Sequence, residues 1–360
     1  MLDFMIEKTS VWKLLQGTSK PIVLYGMGNG ADKILDWCEA HKVTVQGVFA
    51  SDEFVRGQSF RGFTVERYDA LKKRLGVELL VVIAFASERP EVLARFRELA
   101  AEQEVVAPHL SLFEEEETVS LAWLAQHAEA LQSVYERLAD DWSRKVFSCT
   151  LNYKLSGKIS YLFECETERE ADLRELVRPR QDEVYLDLGA YNGDTIEELG
   201  RLTDWQWQEV MAVEPDRRNC RKLRALAERL AEQGLAVEVH ESGIWDSDTV
   251  LSFSDSGGRQ STFVGATKIE VPVTTIDSVA AERPISYIKM DVEGAEVQAL
   301  NGGMNTIKSL RPKLFVAAYH YDVDLFRLPQ ALWQLVPEYK IYLRKHPYVP
   351  AWELNFIAVR

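Results

Sequence analysis

The chain has 360 residues, 46% of them apolar, and a formal net charge of −14 at pH 7. That length suits two domains, since domains cluster at roughly 100–200 residues, and the apolar share gives each a core to bury. The acidic balance repels phosphate backbones, so nucleic acid is not the expected partner.

The opening residues, Met1-Leu2-Asp3-Phe4, have no basic region leading into an apolar run, so no secretory signal is expected. No stretch approaches the ~20 apolar residues of a membrane helix. Cys38, Cys149, Cys165 and Cys220 form neither a metal-ligand spacing nor a C-x-x-C pair. Reduced thiols in a cytoplasmic protein are the expectation.

In chain order, Ile22 to Tyr25 is a short apolar run that ends in Gly26-Met27-Gly28-Asn29-Gly30 and opens a helix with Ile34, Leu35 and Trp37 inward. Val43 to Phe49 reads as a second strand, Tyr68 to Leu75 as a helix, and Glu78 to Phe85 as a buried strand. A helix begins at Pro90, where a first turn tolerates proline, and Val105-Val106 makes one more short strand. This predicts about four strands in a Rossmann-like α/β domain over residues 1–112. From 113 to 180, Trp123, Leu124, Leu131, Tyr135 and Leu138 recur at helical spacing and Asp141 to Tyr153 continues them. A helical bridge built on one long helix is expected there.

A second alternation of strands and helices fills 181–360. Its seven strand-like segments are 184–188, 210–213, 237–240, 285–290, 313–318, 340–343 and 353–359, with a β-rich insertion at 249–275. The last two look like a hairpin. The expected fold is α/β: a doubly wound, mostly parallel seven-stranded sheet, plus the smaller N-terminal α/β domain.

The richest motif follows the first of these strands: Asp187-Leu-Gly189-Ala-Tyr191-Asn-Gly193-Asp194. Glycines there allow a tight turn and close approach of a ligand. Glu214 ends the next strand, 27 positions after Asp187, where a carboxylate commonly takes ribose hydroxyls. NAD and S-adenosylmethionine both suit that pair. The missing G-x-G-x-x-G points away from a pyrophosphate, and the seven-strand count favours the methyl donor. The run Lys289-Met290-Asp291-Val292-Glu293-Gly294-Ala295-Glu296 sets Asp291 at the end of the fourth strand, facing a bound ligand. Glu296 reads as an acid favoured by a helix N-terminus.

These residues resemble the FkbM family of methyltransferases. The likeness runs from the Asp187 turn through Glu214-Pro215 and the Lys289–Glu296 run to Tyr319-His320 and then Pro337 to His346, about 180 residues in all. Family members usually carry an aliphatic residue where Tyr191-Asn192 stands. Asp322 to Gln330 follows the form of the subset with an added N-terminal domain. The resemblance implies a class I methyltransferase fold, S-adenosylmethionine as cofactor, and O-methylation of a sugar, glycan or natural product.

Asp187, Gly189, Tyr191, Gly193, Asp194, Glu214, Trp245 and Asp246 are the expected cofactor-binding residues. His320 is the expected base and Asp291 an orienting or substrate-binding group, with the reverse assignment also open. No metal is expected; Asp291 is the one residue that Mg²⁺ could take, and no second carboxylate is clearly placed beside it. Arg259, in the insertion, and Tyr153, in the bridge, are candidate acceptor-binding residues.

The N-terminal Gly26-x-Gly28-x-Gly30 has Asp52 24 residues after Gly28, near the acid position of a dinucleotide fold. It resembles the small Rossmann-like domains beside sugar-modifying enzymes. A structural or dimerising domain, a sugar-nucleotide clamp and an NAD site all remain open for it. An NAD-dependent sugar-modifying oxidoreductase and a non-catalytic cofactor-binding scaffold are the alternatives for the whole chain. The expected partner is a small-molecule or glycan substrate, with self-association open.

Overall fold

In the computed structural model, residues 2–113, 116–254 and 268–360 are described. The chain divides into two compact units. Unit 1 comprises Met1–Glu129, Lys145–Glu166 and Lys345–Glu353; unit 2 comprises Ala130–Arg144, Thr167–Arg344 and Leu354–Arg360. The stretch 113–180 is thus shared out between them.

Unit 1 holds β1 (Ile22–Tyr25), β2 (Val45–Ala50), β3 (Ser59–Phe60), β4 (Phe63–Arg67), β5 (Leu80–Ile83) and β6 (Glu104–Val106). They form one sheet in the order β3-β4-β2-β1-β5-β6, parallel throughout except for the β3–β4 hairpin. Both faces are covered, as parallel sheets require. Val23, Tyr25, Val81 and Ile83 pack into one apolar cluster and Ile22, Leu24, Leu80 and Val82 into the other. The first cluster also takes Tyr153 and Leu162 from one later segment and Val349 and Ala351 from another, which is why those segments belong to this unit. Six strands stand where about four were expected. The two additions are a two-residue edge strand and Phe63–Arg67, where only Val65 is fully buried, so neither makes an apolar run.

The expected single long helix is also corrected. It is three helices, Leu121–Gln126, Ala128–Arg137 and Asp141–Ser156. One break falls at His127, whose backbone leaves the helical region and caps the first of them, and the other at residues 138–140.

Unit 2 holds β7 (Val184–Leu188), β8 (Glu209–Val213), β9 (Val237–His240), β10 (Gly243–Ile244), β11 (Thr249–Ser254), β12 (Lys268–Thr274), β13 (Tyr287–Met290), β14 (Lys313–Ala317), β15 (Lys340–Lys345) and β16 (Leu354–Val359). Seven of them form the main sheet, β15-β16-β14-β13-β7-β8-β9, while β10-β12-β11 form a small separate one. Strands β9 to β14 run parallel in this sheet and β16 runs antiparallel to β14. This is the class I methyltransferase fold expected from the sequence. All five residues of β7 are buried, because the strand lies mid-sheet under helices on both faces. Helix Asp194–Leu202 buries Ile196 and Leu199, and helix Arg217–Ala231 buries Leu223, Leu226 and Leu230, on the same side as Tyr185 and Ala212. Each such side chain stabilises the fold by about 1.5–3 kcal/mol.

The strand order fixes where a ligand fits. From β7 the chain builds outward through β8 and β9, then crosses back to β13 on the other side. The connections after β7 and β13 therefore leave in opposite directions and open a crevice at the carboxyl ends of the strands. Among the described residues, no helix is long and apolar enough to cross a membrane.

Candidate functional site

Two of the sequence motifs meet at that crevice. In register, Asp187 of β7 pairs with Lys289 of β13, and Leu188 with Met290, so the Gly189 turn and the Asp291 turn lie side by side. Gly189 has φ +76°, and a Cβ there would overlap the carbonyl oxygen of Asp291. Only glycine lets the two turns approach so closely.

Asp187 is fully buried. Its Oδ2 accepts the hydroxyl proton of Thr195, and its Oδ1 lies 3.4 Å from Lys289 Nζ. The Lys289 ammonium donates to the Gly189 carbonyl at 2.7 Å, tying the charge pair to the turn. Burial pushes the Asp187 carboxyl up, against the pull of Lys289 and Thr195. Burial alone would lower Lys289, but it faces both Asp187 and Asp291, and together they hold it above its usual value. One cation thus serves two carboxylates.

Glu214 follows β8 and is buried. Its Oε2 accepts from the Tyr191 N–H and its Oε1 from the Asp216 N–H, both at 2.9 Å. These bonds aim the carboxylate at the Gly189 turn, while burial pushes its pKa up. Asp216 in turn caps the helix Arg217–Ala231 by accepting from the N–H groups of Arg218 and Asn219, a contribution of about 1 kcal/mol. The sequence Glu-Pro-Asp therefore ends a strand, fixes the acid and starts a helix within three residues.

The remaining site residues lie across the ends of β13 and β14. The Tyr319 hydroxyl donates to Asp291 at 3.1 Å. His320 Nε2 lies 3.6 Å from Asp291 Oδ1 and 3.4 Å from Glu293 Oε2, and Nδ1 lies 3.0 Å from Glu296 Oε1. The His320 side chain has no exposed surface, whereas those of Asp291 and Glu293 are 30% and 50% exposed. Burial pushes His320 down, but Glu296, Glu293 and Asp291 push it up further, so it stands well above an ordinary imidazole. Burial also pushes Asp291 up to about 6, against the pull of His320 and Lys289. Glu296 is held low: its burial is outweighed by His320 and by the backbone N–H of Val292.

Of the residues singled out from sequence, Asp187, Gly189, Tyr191, Glu214, Asp291 and His320 come together at these strand ends. Tyr191 is exposed with φ +47°, and the Lys222 ammonium lies 5.6 Å from its ring centre. Gly193 caps the helix that Asp194 begins. Trp245 is half-buried and its backbone N–H donates to the Thr274 carbonyl at 2.9 Å; Asp246 is exposed and accepts from Ser247. Tyr153 is fully buried in the core of unit 1. Arg259 lies outside the described residues. Sequence reasoning missed Thr195, Lys289 and Tyr319 as partners of the site acids, and it read Glu296 as a helix-terminal acid. Glu296 does begin the helix Glu296–Gly302, but it is buried against His320.

Residues 187–348 match the family model described as the methyltransferase FkbM domain. Over those residues the chain is similar to FkbM methyltransferase domains. Methyl transfer is the chemistry of that family, and the matched stretch includes every strand end described above. A crystal structure of methyltransferase FkbM from Methylobacillus flagellatus KT shares the fold over 99% of this chain and 95% of its own, with a TM-score of 0.73 and 21% identity. Precorrin-6y C5,15-methyltransferase from Geobacter metallireducens GS-15 matches over 53% of this chain and 87% of its own, at 12% identity and a TM-score of 0.33, too low to bear on the fold. No curated protein matches the chain.

Proposed function

We propose that this FkbM-like domain is an S-adenosylmethionine-dependent O-methyltransferase whose acceptor is a hydroxyl of a sugar, glycan or natural product. The observation that carries the proposal is the meeting, at one crevice of the sheet, of a tight glycine turn, the fixed carboxylate of Glu214 and the acid–imidazole cluster around Asp291. Glu214, with one backbone N–H on each oxygen, keeps lone pairs for the two ribose hydroxyls. Asp187 and Lys289 hold the turn that would support the cofactor. Tyr191, Gly193 and Asp194 of that turn, and Trp245 and Asp246 beyond β9, would contact it, the last two at the adenine.

The bound cofactor supplies an electrophilic methyl group. The chain must hold an acceptor oxygen in line with it and keep water out, which is chiefly a matter of positioning. The acceptor must also lose a proton as the new bond forms. A hydroxyl entering the crevice meets the exposed edge of Asp291 before it can reach His320. Asp291 therefore receives the proton, Tyr319 orients it, and His320 stands behind as its partner. These roles reverse the assignment favoured from sequence, and the reason is burial.

Calorimetric titration of S-adenosylmethionine into wild type and Glu214→Ala, with NAD⁺ as control ligand, tests the proposal. Binding to wild type that the variant weakens, with no binding of NAD⁺, is expected. Binding of NAD⁺ without S-adenosylmethionine would sink it. If S-adenosylmethionine binds, hydroxylated sugars are the first acceptors to screen for methylated product.

A further inference from the structure

We propose that Asp291, Glu296 and His320 hold a divalent first-row metal ion at the acceptor end of the site, with Glu293 at its open side. One ligand atom from each of the three lies within 4.8 Å of the others. Bonds of about 2.1 Å to a common ion set ligand atoms about 3–4 Å apart, so small side-chain shifts would close the shell.

A second observation is independent of that clustering. Both ring nitrogens of His320 and Oε2 of Glu296 are buried without a hydrogen-bond partner. Carboxylate oxygens lie 3.0 to 3.6 Å from the ring nitrogens, yet none meets them in hydrogen-bond alignment. An ion at their centre would meet both the ring nitrogen and the carboxylate oxygens along their lone pairs, which they do not do with one another. Charge argues the same way. Three carboxylates crowd one imidazole, and a divalent cation offsets the surplus.

The donor set selects among cations. Mg²⁺ and Ca²⁺ favour all-oxygen shells, whereas an imidazole beside carboxylates suits Mn²⁺ or Zn²⁺. A hydroxyl bound to such an ion gives up its proton more readily; with the ion in place and Asp291 engaged as its ligand, the proton passes to Glu293, the exposed carboxylate beside it, in place of Asp291.

The test needs no methyl donor. The full chain is stripped with chelator and titrated with Mn²⁺, free ion being counted by electron paramagnetic resonance, and Zn²⁺ is then added as competitor. One saturable Mn²⁺ per chain, displaced by Zn²⁺, is expected, with affinity reduced about tenfold or more in Glu296→Gln and His320→Asn. Should those variants fail to fold, the wild type still decides: Mn²⁺ should broaden the imidazole resonances of one histidine among the six in the chain. No saturable uptake, uniform broadening, or uptake untouched by both folded variants overturns the proposal. S-adenosylmethionine binding to the stripped protein is measured separately, so loss of the metal proposal and loss of the methyltransferase proposal are distinguishable.

Discussion

Asp187→Asn should destabilise unit 2 far more than a surface acid would. Asp187 is fully buried and Lys289 almost so, at 3.4 Å from each other. Removing one member of a buried pair leaves the other charge uncompensated, which costs about 3–5 kcal/mol. Lys289 keeps its bond to the Gly189 carbonyl and its proximity to Asp291, so the low end of that range, about 3 kcal/mol, is expected. Lys289→Met should cost a similar amount, because it strands Asp187. The double variant removes both charges and should lose clearly less than the sum, with a coupling of about 1–3 kcal/mol. Urea unfolding followed by tryptophan fluorescence and far-ultraviolet circular dichroism measures all four proteins, with unit 2 taken as its own transition. Additivity within about 0.5 kcal/mol would show that the two residues do not act as a pair and would refute the reasoning.

Glu214→Gln puts an amide where one backbone N–H needs an acceptor. It should lower S-adenosylmethionine affinity by about tenfold and cost about 1–2 kcal/mol of stability, read by calorimetry and melting; unchanged affinity would remove Glu214 from the binding site. Gly189→Ala forces a side chain into the Asp291 carbonyl at φ +76° and should cost more than about 3 kcal/mol or abolish soluble expression, whereas a stable variant would mean the turns are not tightly packed. Lys345 is fully buried in unit 1, and burial lowers it to about 8, against Cys165, Glu166 and Glu353 and with Arg97. Its folded pKa lies below the unfolded value near 10.5, so the unfolded chain binds more protons between those values and stability rises with pH across them. Lys345→Met should gain about 3 kcal/mol at pH 7, and its advantage over wild type should shrink by about 2 kcal/mol by pH 10; a constant difference between the two would contradict the shift.

The main sheet was legible because parallel strands buried on both faces make continuous apolar runs, as in Val184–Leu188 and Lys313–Ala317. β3 and β4 were not, since an edge strand of two residues and one with a single fully buried side chain carry no such run. The acids at strand ends were placed correctly from spacing: Asp187, Glu214 and Asp291 each follow or close a buried strand. What spacing could not give was direction. Glu296 opens a helix, as its sequence position implies, but whether its carboxylate faces water or His320 depends on how β14 lies beside β13. The same holds for Lys289: a lysine inside an apolar strand signals a buried partner, and the partner is named only by the register that sets it opposite Asp187. His320 was singled out from sequence, while its complete burial became visible only once the helix Glu296–Gly302 was set against it.

The discontinuous make-up of unit 1 bears on how this chain can be made and cut. Its last segment, Lys345–Glu353, lies almost at the C-terminus, and Val349 bonds to Ser87 through two backbone hydrogen bonds. A ribosome emits residues in order, and domains ordinarily complete as they emerge. Here the first unit must wait for residues 345–353 before its core closes. The second waits as well, because β16, residues Leu354–Val359, lies between β14 and β15. A clone ending at residue 348, where the family match stops, would omit the strand that joins those two and leave β15 without its neighbour. Expression of either half alone is therefore a poor route to material, and a clone has to span the segments of both units.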